Sequence, residues 1–428
     1  MRIGIVGLGY VGLTLAIAAA ARGLEVYGTE INPAIKKCLS EDRAHFFEPG
    51  LDELIAKHNR KNFHCVEEFP ADQKFDAFVI TVGTPLKVGT REPDFDYIKK
   101  SIASIGGRIN SQNSPLIILR STVSVGTTRN VVLPFLIEMS SNPNVLVSMC
   151  PERTIEGKAI EELNHLPQVI SGNCEEAIER ARAIFSRITD SIVVADSLEE
   201  AELIKLCNNT YRDMNFAIGN AFCLAAQTFD IDGTRVIKHA NEGYARSKIA
   251  LPGFVAGPCL EKDSYILTDN MIDCPEKQFI LAARRINESL EYAVVDWLQS
   301  HFQSRELPIV LSGMAFKGRP ATSDLRGSSS VNIARKLHAI GYKLRLHDFA
   351  ADPIELKALN LGEVFDDLDS ACENASALLI LNNHERYSDL KLRRADLLIF
   401  DAWNVCRNIE GDVFTLGNMK LAREVHAK

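Results

Sequence analysis

The sequence predicts an α/β protein: two Rossmann-like parallel-sheet domains joined by a long central helix and a helical middle domain. Three observations predict it. Short apolar runs alternate with helical patterns in the first half, long helical stretches take over from about Ser197, and the alternation resumes at Leu307. Repeated strand–helix alternation implies a parallel sheet covered by helices on both faces. At 428 residues the chain exceeds a single ordinary core, and the pattern changes divide it into 1–197, 198–304 and 305–428.

In the first part the expected strands are Arg2–Val6, Glu25–Gly28, Ala77–Val82, Leu116–Leu119, Val145–Ser148 and Ser191–Val194. Between the first two lies a helix, Val11–Arg22, which Gly23 is placed to terminate. Residues 198–228 read as one helix with few breakers. Helical patterns follow at 233–245 and 275–303, around a Gly- and Pro-rich stretch at 250–263. The third part offers strands at Pro308–Ser312, Lys343–His347, Ala377–Leu381 and Leu397–Asp401, with a helix at Ser329–Ile340.

Hydrophobic residues make up 46% and charged residues 24%, the balance of a soluble globular protein. The formal net charge is −8 and no basic block stands out, so nucleic acid is not an expected partner. The apolar run Ile3–Val6 meets glycines at once, unlike a signal peptide, and Leu13–Ala21 is too short to span a bilayer. The expectation is a cytoplasmic protein with no membrane partner. None of the ten cysteines shows CxxC spacing or a matching histidine cluster, so no structural metal is expected. Most of these cysteines read as small buried hydrophobes in a reducing compartment.

Gly7-Leu8-Gly9-Tyr10-Val11-Gly12 fits GxGxxG directly after the first strand and at the start of a helix. The first glycine permits the tight turn, the second lets backbone approach a pyrophosphate, and the third allows close helix–strand packing. Phosphates would then rest on the free N–H groups of the helix start. Glu30, 18 residues after Gly12, would accept hydrogen bonds from both ribose hydroxyls and repel a 2′-phosphate, which favours NAD. Two further strand ends, Val82-Gly83-Thr84-Pro85 and Arg120-Ser121-Thr122-Val123, face the ligand crevice of such a sheet. Their hydroxyls at Thr84, Ser121 and Thr122 suit ribose and nicotinamide.

A second group of residues carries chemistry. Cys259 lies in Gly257-Pro258-Cys259-Leu260-Glu261-Lys262-Asp263, expected to be a loop between helices. Lys205 and Asn209 share one face of the long helix, four residues apart. Cys150-Pro151-Glu152-Arg153 ends another strand, with Glu156 one turn on. Each alone has a plain structural explanation: Cys259 as filler, Lys205 and Asn209 as surface residues, Glu152 and Glu156 as solvated acids.

In their order, the segments GLGYVGL, EPGLDEL (48–54), VGTP, RSTVSVGTT (120–128), PERTIEGKA (151–159), AELIKLCNNTYR (201–212), GPCLEKD and GMAFKGRPATSDLRGSS (313–329) resemble the UDP-glucose/GDP-mannose dehydrogenase family over essentially the whole length. The resemblance implies NAD and water as co-substrates, a UDP-sugar substrate and a nucleotide-diphospho-uronic acid product for polysaccharide synthesis. It implies that a base takes the C6 hydroxyl proton as hydride leaves for NAD. Cys259 thiolate then adds to the aldehyde, the thiohemiacetal gives up a second hydride, and water hydrolyses the thioester. Lys205 and Asn209 would stabilise the oxyanion. Asp263 and Thr122 would position a water, with Glu152 as general base. Arg153, Glu156, Phe254, Gly257, Phe316 and Lys317 are the implied substrate-side contacts, with Glu156 also near the cofactor. The long helix implies a homodimer.

The chain departs from the family pattern at three places. Ala256-Gly257 replaces Gly-Gly, Ser124 stands where proline is usual, and Asp401-Ala402-Trp403-Asn404 replaces Asp-Gly-Arg-Asn. Trp403 is thereby available to stack on a sugar or base. Arg153 and Ala283-Arg284-Arg285-Ile286-Asn287 resemble the N-acetylhexosamine branch, whose members take UDP-N-acetylmannosamine or UDP-N-acetylglucosamine, whereas Lys262 resembles UDP-glucose and GDP-mannose members. Two other classes fit parts of the pattern. Two-electron β-hydroxyacid dehydrogenases share the dinucleotide domain and a Lys/Asn pair, and a non-catalytic NAD-binding protein would keep the fold.

Overall fold

Strand β1 (Arg2–Val6) runs through the middle of a six-stranded sheet because every residue after Arg2 is apolar enough to be buried on both sides. The sheet, built with β2 (Glu25–Thr29), β3 (Phe63–Val66), β4 (Ala77–Ile80), β5 (Leu116–Leu119) and β6 (Val147–Met149), has the order 3-2-1-4-5-6. All its pairings are parallel. In β5, Leu116 and Ile118 enter one core while Ile117 and Leu119 enter the other, as expected of a sheet covered on both faces. The computed structural model describes residues 1–109, 114–140, 142–302, 305–393, 397–410 and 412–424.

The sequence pattern does not reveal β3, whose Phe63-His64-Cys65-Val66 is mostly half-buried at the sheet edge and has no apolar run. The expected Val145–Ser148 strand shifts to Val147–Met149, and Ser191–Val194 appears as Ile192–Val194, paired with Gln168–Ile170 outside the main sheet.

The chain divides into two compact units: Met1–Asn208 with Tyr265–Ile272, and Asn209–Ser264 with Asp273–Lys428. The central helix, Leu198–Thr228, passes from the first into the second. The next helix, Gly233–Asn241, is capped by the Asp232 carboxylate on Arg235 N–H and ends short of the expected 245. The stretch expected as a loop at 250–263 is one only as far as Cys259, since Leu260–Thr268 is helical. Gly257, at φ +95°, and Pro258 set up the turn, and Glu261 and Asp263 favour a helix start electrostatically. Pro275 opens the following helix at its first position, and that helix runs to His301. Residue 303, the expected end, lies outside the described residues.

The second unit holds a seven-stranded sheet. Its strands, edge to edge, are Glu363–Val364, Leu344–His347, Ile309–Ser312, Ala377–Ile380, Leu398–Asp401, Asp412–Thr415 and Asn418–Glu424. The last pair alone is antiparallel. Ile309, Leu311, Ala377 and Leu379 pack on one face, and Val310, Leu378 and Ile380 on the other. The Ser329–Ile340 helix starts at a Ser328 cap and stops at Gly341, whose φ of +96° a residue with a side chain rarely adopts. Among the described residues, no helix is long and apolar enough to cross a membrane.

Candidate active site

The glycine turn is built as its spacing requires. Gly7 has φ +92°, and a Cβ on Gly12 would collide with the Gly7 carbonyl oxygen. A Cβ on Gly9 would meet nothing within 4 Å, so backbone is open to a ligand there. No side chain caps the helix that starts at Tyr10, which leaves its first N–H groups for an anion. Glu30 follows β2 directly. Its Oε2 accepts from Leu8 N (2.8 Å) inside the glycine turn, and its Oε1 from Ile31 N (2.8 Å) and Asn32 N (2.9 Å). The acid thus braces the turn and keeps acceptor capacity for a ribose.

Thr84 is buried and its hydroxyl has no partner, an orphaned group that a bound nucleotide would satisfy. Ser121 is committed locally, donating to Val82 O (2.6 Å), and the next residue, Thr122, is partly buried. Val11 is partly exposed. The Tyr10 hydroxyl donates to Glu48, which also accepts from Gly157 N (2.7 Å). Burial, then the Glu48 hydrogen bond, push this phenol far above its ordinary pKa, and the nearby Glu156 charge acts in the same direction. Tyr10 therefore ties the glycine turn to the 151–159 segment. Half-buried Glu156 belongs to the same corner.

Glu152, just past β6, is buried and held by four donors. Arg120 gives Nε (3.0 Å) and Nη2 to Oε2, while Arg153 N and Thr154 N (2.7 Å each) give to Oε1. Burial pushes its pKa up, but Arg120, the backbone donor and Lys205 outweigh that and hold it below the usual carboxylate value. Lys205 is itself buried, not on a surface face. Arg153, expected to face substrate, has its guanidinium tied to Pro167 O and Asn208 Oδ1.

The second unit holds the thiol. Cys259 is exposed and stands immediately before the Leu260–Thr268 helix. Its carbonyl accepts from Lys262 N (3.1 Å) and Asp263 N (2.9 Å), so Asp263 lies on the helix's first turn. Asp263 Oδ2 accepts from Asn209 Nδ2 at 2.6 Å. Its Oδ1 is buried and takes no hydrogen bond, with the Lys262 ammonium 3.5 Å away. That is an acceptor suited to an ordered water. Gly257 is obligatory, since a Cβ there would lie 2.5 Å from the Phe316 ring. Lys317 Nζ sits 5.4 Å from the centroid of that ring.

Two further expectations change. The Phe254 side chain packs in the core with Leu290 and Val294, so it supports the loop from beneath. Trp403 is not presented for stacking: its ring covers Gly253 and its Nε1 donates to Leu381 O (3.1 Å). Periodicity alone does not single out Glu48, Arg120, Asp213 or Arg284. The only sequence signal for them was their place inside, or one residue beyond, the quoted segments. The site residues fall into two sets. Gly7–Gly12, Glu30, Thr84, Ser121, Thr122, Glu152, Arg153, Glu156 and Lys205 belong to the first unit. Asn209, Phe254, Gly257, Cys259, Asp263, Phe316 and Lys317 belong to the second.

A 3-2-1-4-5-6 sheet with an open glycine cradle and an acid directly after the second strand has the form of a dinucleotide-binding domain. The sequence matches the UDP-glucose/GDP-mannose dehydrogenase family in three stretches: its NAD binding domain at 1–189, its central domain at 199–289 and its UDP binding domain at 310–408. The UDP-N-acetyl-D-mannosamine dehydrogenase of Methanocaldococcus jannaschii is 30% identical, over 91% of this chain and 87% of that protein. The enzyme of the same name from Pyrococcus horikoshii is 29% identical, over 91% of each. A solved UDP-D-ManNAc dehydrogenase from Pyrococcus horikoshii superposes with a TM-score of 0.85 at 27% identity, covering 98% of this chain and 100% of that one. The Staphylococcus aureus UDP-N-acetyl-mannosamine dehydrogenase gives 0.83 at 26% identity, with 98% and 99% covered. The chain belongs to the UDP-glucose/GDP-mannose dehydrogenase family. It is an NAD-dependent nucleotide-sugar dehydrogenase whose substrate is a small-molecule UDP-sugar.

Proposed function

We propose that the chain oxidises the C6 alcohol of UDP-N-acetylmannosamine to the carboxylate, a four-electron oxidation through a thioester on Cys259. The observation that carries the chemistry is the Cys259–Asp263–Asn209 cluster: an exposed thiol at a helix start, with a buried carboxylate one turn on and an amide fixed against it. The sugar is supported by the names of relatives that align along nine-tenths of the chain.

Gly7, Gly9, Gly12, Glu30 and Thr84 would hold two NAD molecules in turn, each of which supplies the acceptor for one of the two hydrides that the oxidation releases. This chain's own residues do the rest. Cys259 thiolate adds to the C6 aldehyde and keeps it bound until the second oxidation leaves an acyl group on sulfur. Lys205 neutralises the oxyanion of the thiohemiacetal and of the hydrolytic intermediate, with Asn209 as a second donor. Asp263 Oδ1 and Thr122 orient the water, whose attack releases the uronate and returns the thiol. Glu152, ionised because Arg120 holds it so, takes the water's proton. Glu156, Phe316, Lys317 and the backbone at Gly257 contact the nucleotide sugar.

The 1–197, 198–304 and 305–428 parts serve cofactor, thiol and nucleotide respectively. The central helix exposes Tyr211 (69%), Ile218 (44%) and Phe222 (49%) at spacings of seven and four, one stripe that Phe229 (74%) continues just past the helix end and that a second copy of the chain would cover as a homodimer. A reduced Cys259 suits the cytoplasm, and a UDP-activated uronate suits polysaccharide synthesis. An NADH-release assay over UDP-N-acetylmannosamine, UDP-N-acetylglucosamine, UDP-glucose and GDP-mannose tests the assignment. UDP-N-acetylmannosamine should give the highest kcat/KM. A preference of about tenfold or more for UDP-glucose, some 1.4 kcal/mol of transition-state binding, would overturn the sugar while leaving the chemistry standing.

A further inference from the structure

Behind the Asn209–Asp263 pair, the same two helices hold a second polar layer. Asp213, one turn on from Asn209, is fully buried and its Oδ2 accepts from the hydroxyl of Ser264, Asp263's neighbour (2.9 Å). Arg284, on the Pro275–His301 helix and also buried, donates from Nη1 to Asp213 Oδ1 (2.8 Å). Asn287 donates to the same oxygen (2.7 Å) and to the Asp213 carbonyl (2.8 Å). The guanidinium then reaches the thiol segment on both sides of Cys259, giving Nη1 to Leu260 O (2.9 Å) and Nη2 to Val255 O (3.1 Å). Asn220 extends the grip by donating to Gly253 O (3.0 Å) and accepting from Gly253 N (2.9 Å).

We infer that Arg284 is a positioning residue for Cys259, clamping the 253–260 segment against the catalytic helices. The inference rests on the proposed role of Cys259 as nucleophile. A buried ion pair is weak support for stability, because apolar residues of similar volume often serve as well or better. A planar, forked cation that bridges a carboxylate and two carbonyls bracketing one thiol is, by contrast, what fixing a loop requires. Cys259 sits at a helix start, and the thiolate gains from that helix only while the first turn is held towards the sulfur. The charged groups about the guanidinium are Asp213, Glu288, whose Oε1 is 3.7 Å from Nε, and Glu261. Lysine at 284 cannot span all three acceptors.

The test uses the full chain with Arg284→Lys, Arg284→Gln and the paired Arg284→Met/Asp213→Leu, which leaves no unpaired buried charge. Ser264→Ala, which removes one bond to Asp213 and no charge, supplies a milder perturbation. The readouts are the pH dependence of iodoacetamide alkylation at Cys259, followed by peptide mass, then kcat and KM for the sugar and Kd for NAD. The expected result is an alkylation midpoint raised by about one pH unit and a kcat lowered about 30-fold or more, with NAD Kd within about twofold. Ser264→Ala should move the same quantities less. A folded Arg284 or paired variant with the unaltered alkylation profile and kcat overturns the inference. So does a Ser264→Ala protein indistinguishable from the parent if the Arg284 variants do not fold. Full turnover by Cys259→Ser would instead remove the nucleophile assignment on which the inference rests, and alkylation, read without turnover, keeps the two failures apart.

Discussion

Single residues set the charge state of the site. Glu152 and Arg120 form a buried pair in which every carboxylate oxygen is engaged. Because the folded pKa of Glu152 lies below its unfolded value near 4.5, the carboxylate adds stability above that pH. The contribution is lost as pH falls from about 4.5 through the folded value. Arg120→Met reverses the sign: an unpaired buried carboxylate prefers its proton, so the variant is worst at neutral pH and recovers on acidification. Chemical denaturation at pH 7 should show a loss of about 3–5 kcal/mol, narrowing at pH 5. An equal loss at both pH values would contradict the pairing. Lys205 is buried on the same unit, and Lys205→Met should lower kcat by about 100- to 1,000-fold, some 2.7–4 kcal/mol, with NAD affinity unchanged. A steady-state assay showing only a raised KM would contradict an oxyanion role. At this scale the sequence conveyed residue types but not commitments. Arg153 looks like a substrate contact by position, yet its guanidinium is tied to backbone, and Trp403 looks like a stacking platform, yet its ring covers Gly253. Neither contact leaves a trace in spacing, because each partner is distant in the chain.

Elements were legible where one strong local signal dominates. The central helix and Ser329–Ile340 emerge at their expected ends, the second because Ser328 and Gly341 are a matched start and stop. Edge strands were not legible: Phe63–Val66 is mostly half-buried and Asn418–Glu424 carries an exposed Lys420, so the sheet neighbour, not the local pattern, decides their conformation. The Leu260–Thr268 helix was hidden by the Gly-Pro turn before it, which reads as loop until the acidic first turn is given weight. That helix start is what gives Cys259 its setting. The exposed stripe on the central helix carries its own prediction. Phe222→Glu places a charge in the middle of the stripe and should shift the protein towards monomer in sedimentation or light scattering. An unchanged mass would remove the central helix from the interface.

The whole molecule combines two α/β sheets, one with a glycine cradle for NAD and one whose first five strands overlap the stretch that matches the UDP binding domain. Periodicity was enough to show both sheets, and GxGxxG with Glu30 was enough to show the cofactor. The thiol chemistry could not have been assigned from Cys259 alone, one cysteine among ten. Its meaning comes from Asp263 and Asn209, whose 2.6 Å contact joins residues 54 apart in the chain. The central claim is that this thiol carries a four-electron oxidation. Its most direct measurement is the count of NADH formed per UDP-sugar consumed, taken to completion with limiting sugar. Two NADH and one uronate per sugar are expected. One NADH per sugar, with an aldehyde as the end product, would contradict the account.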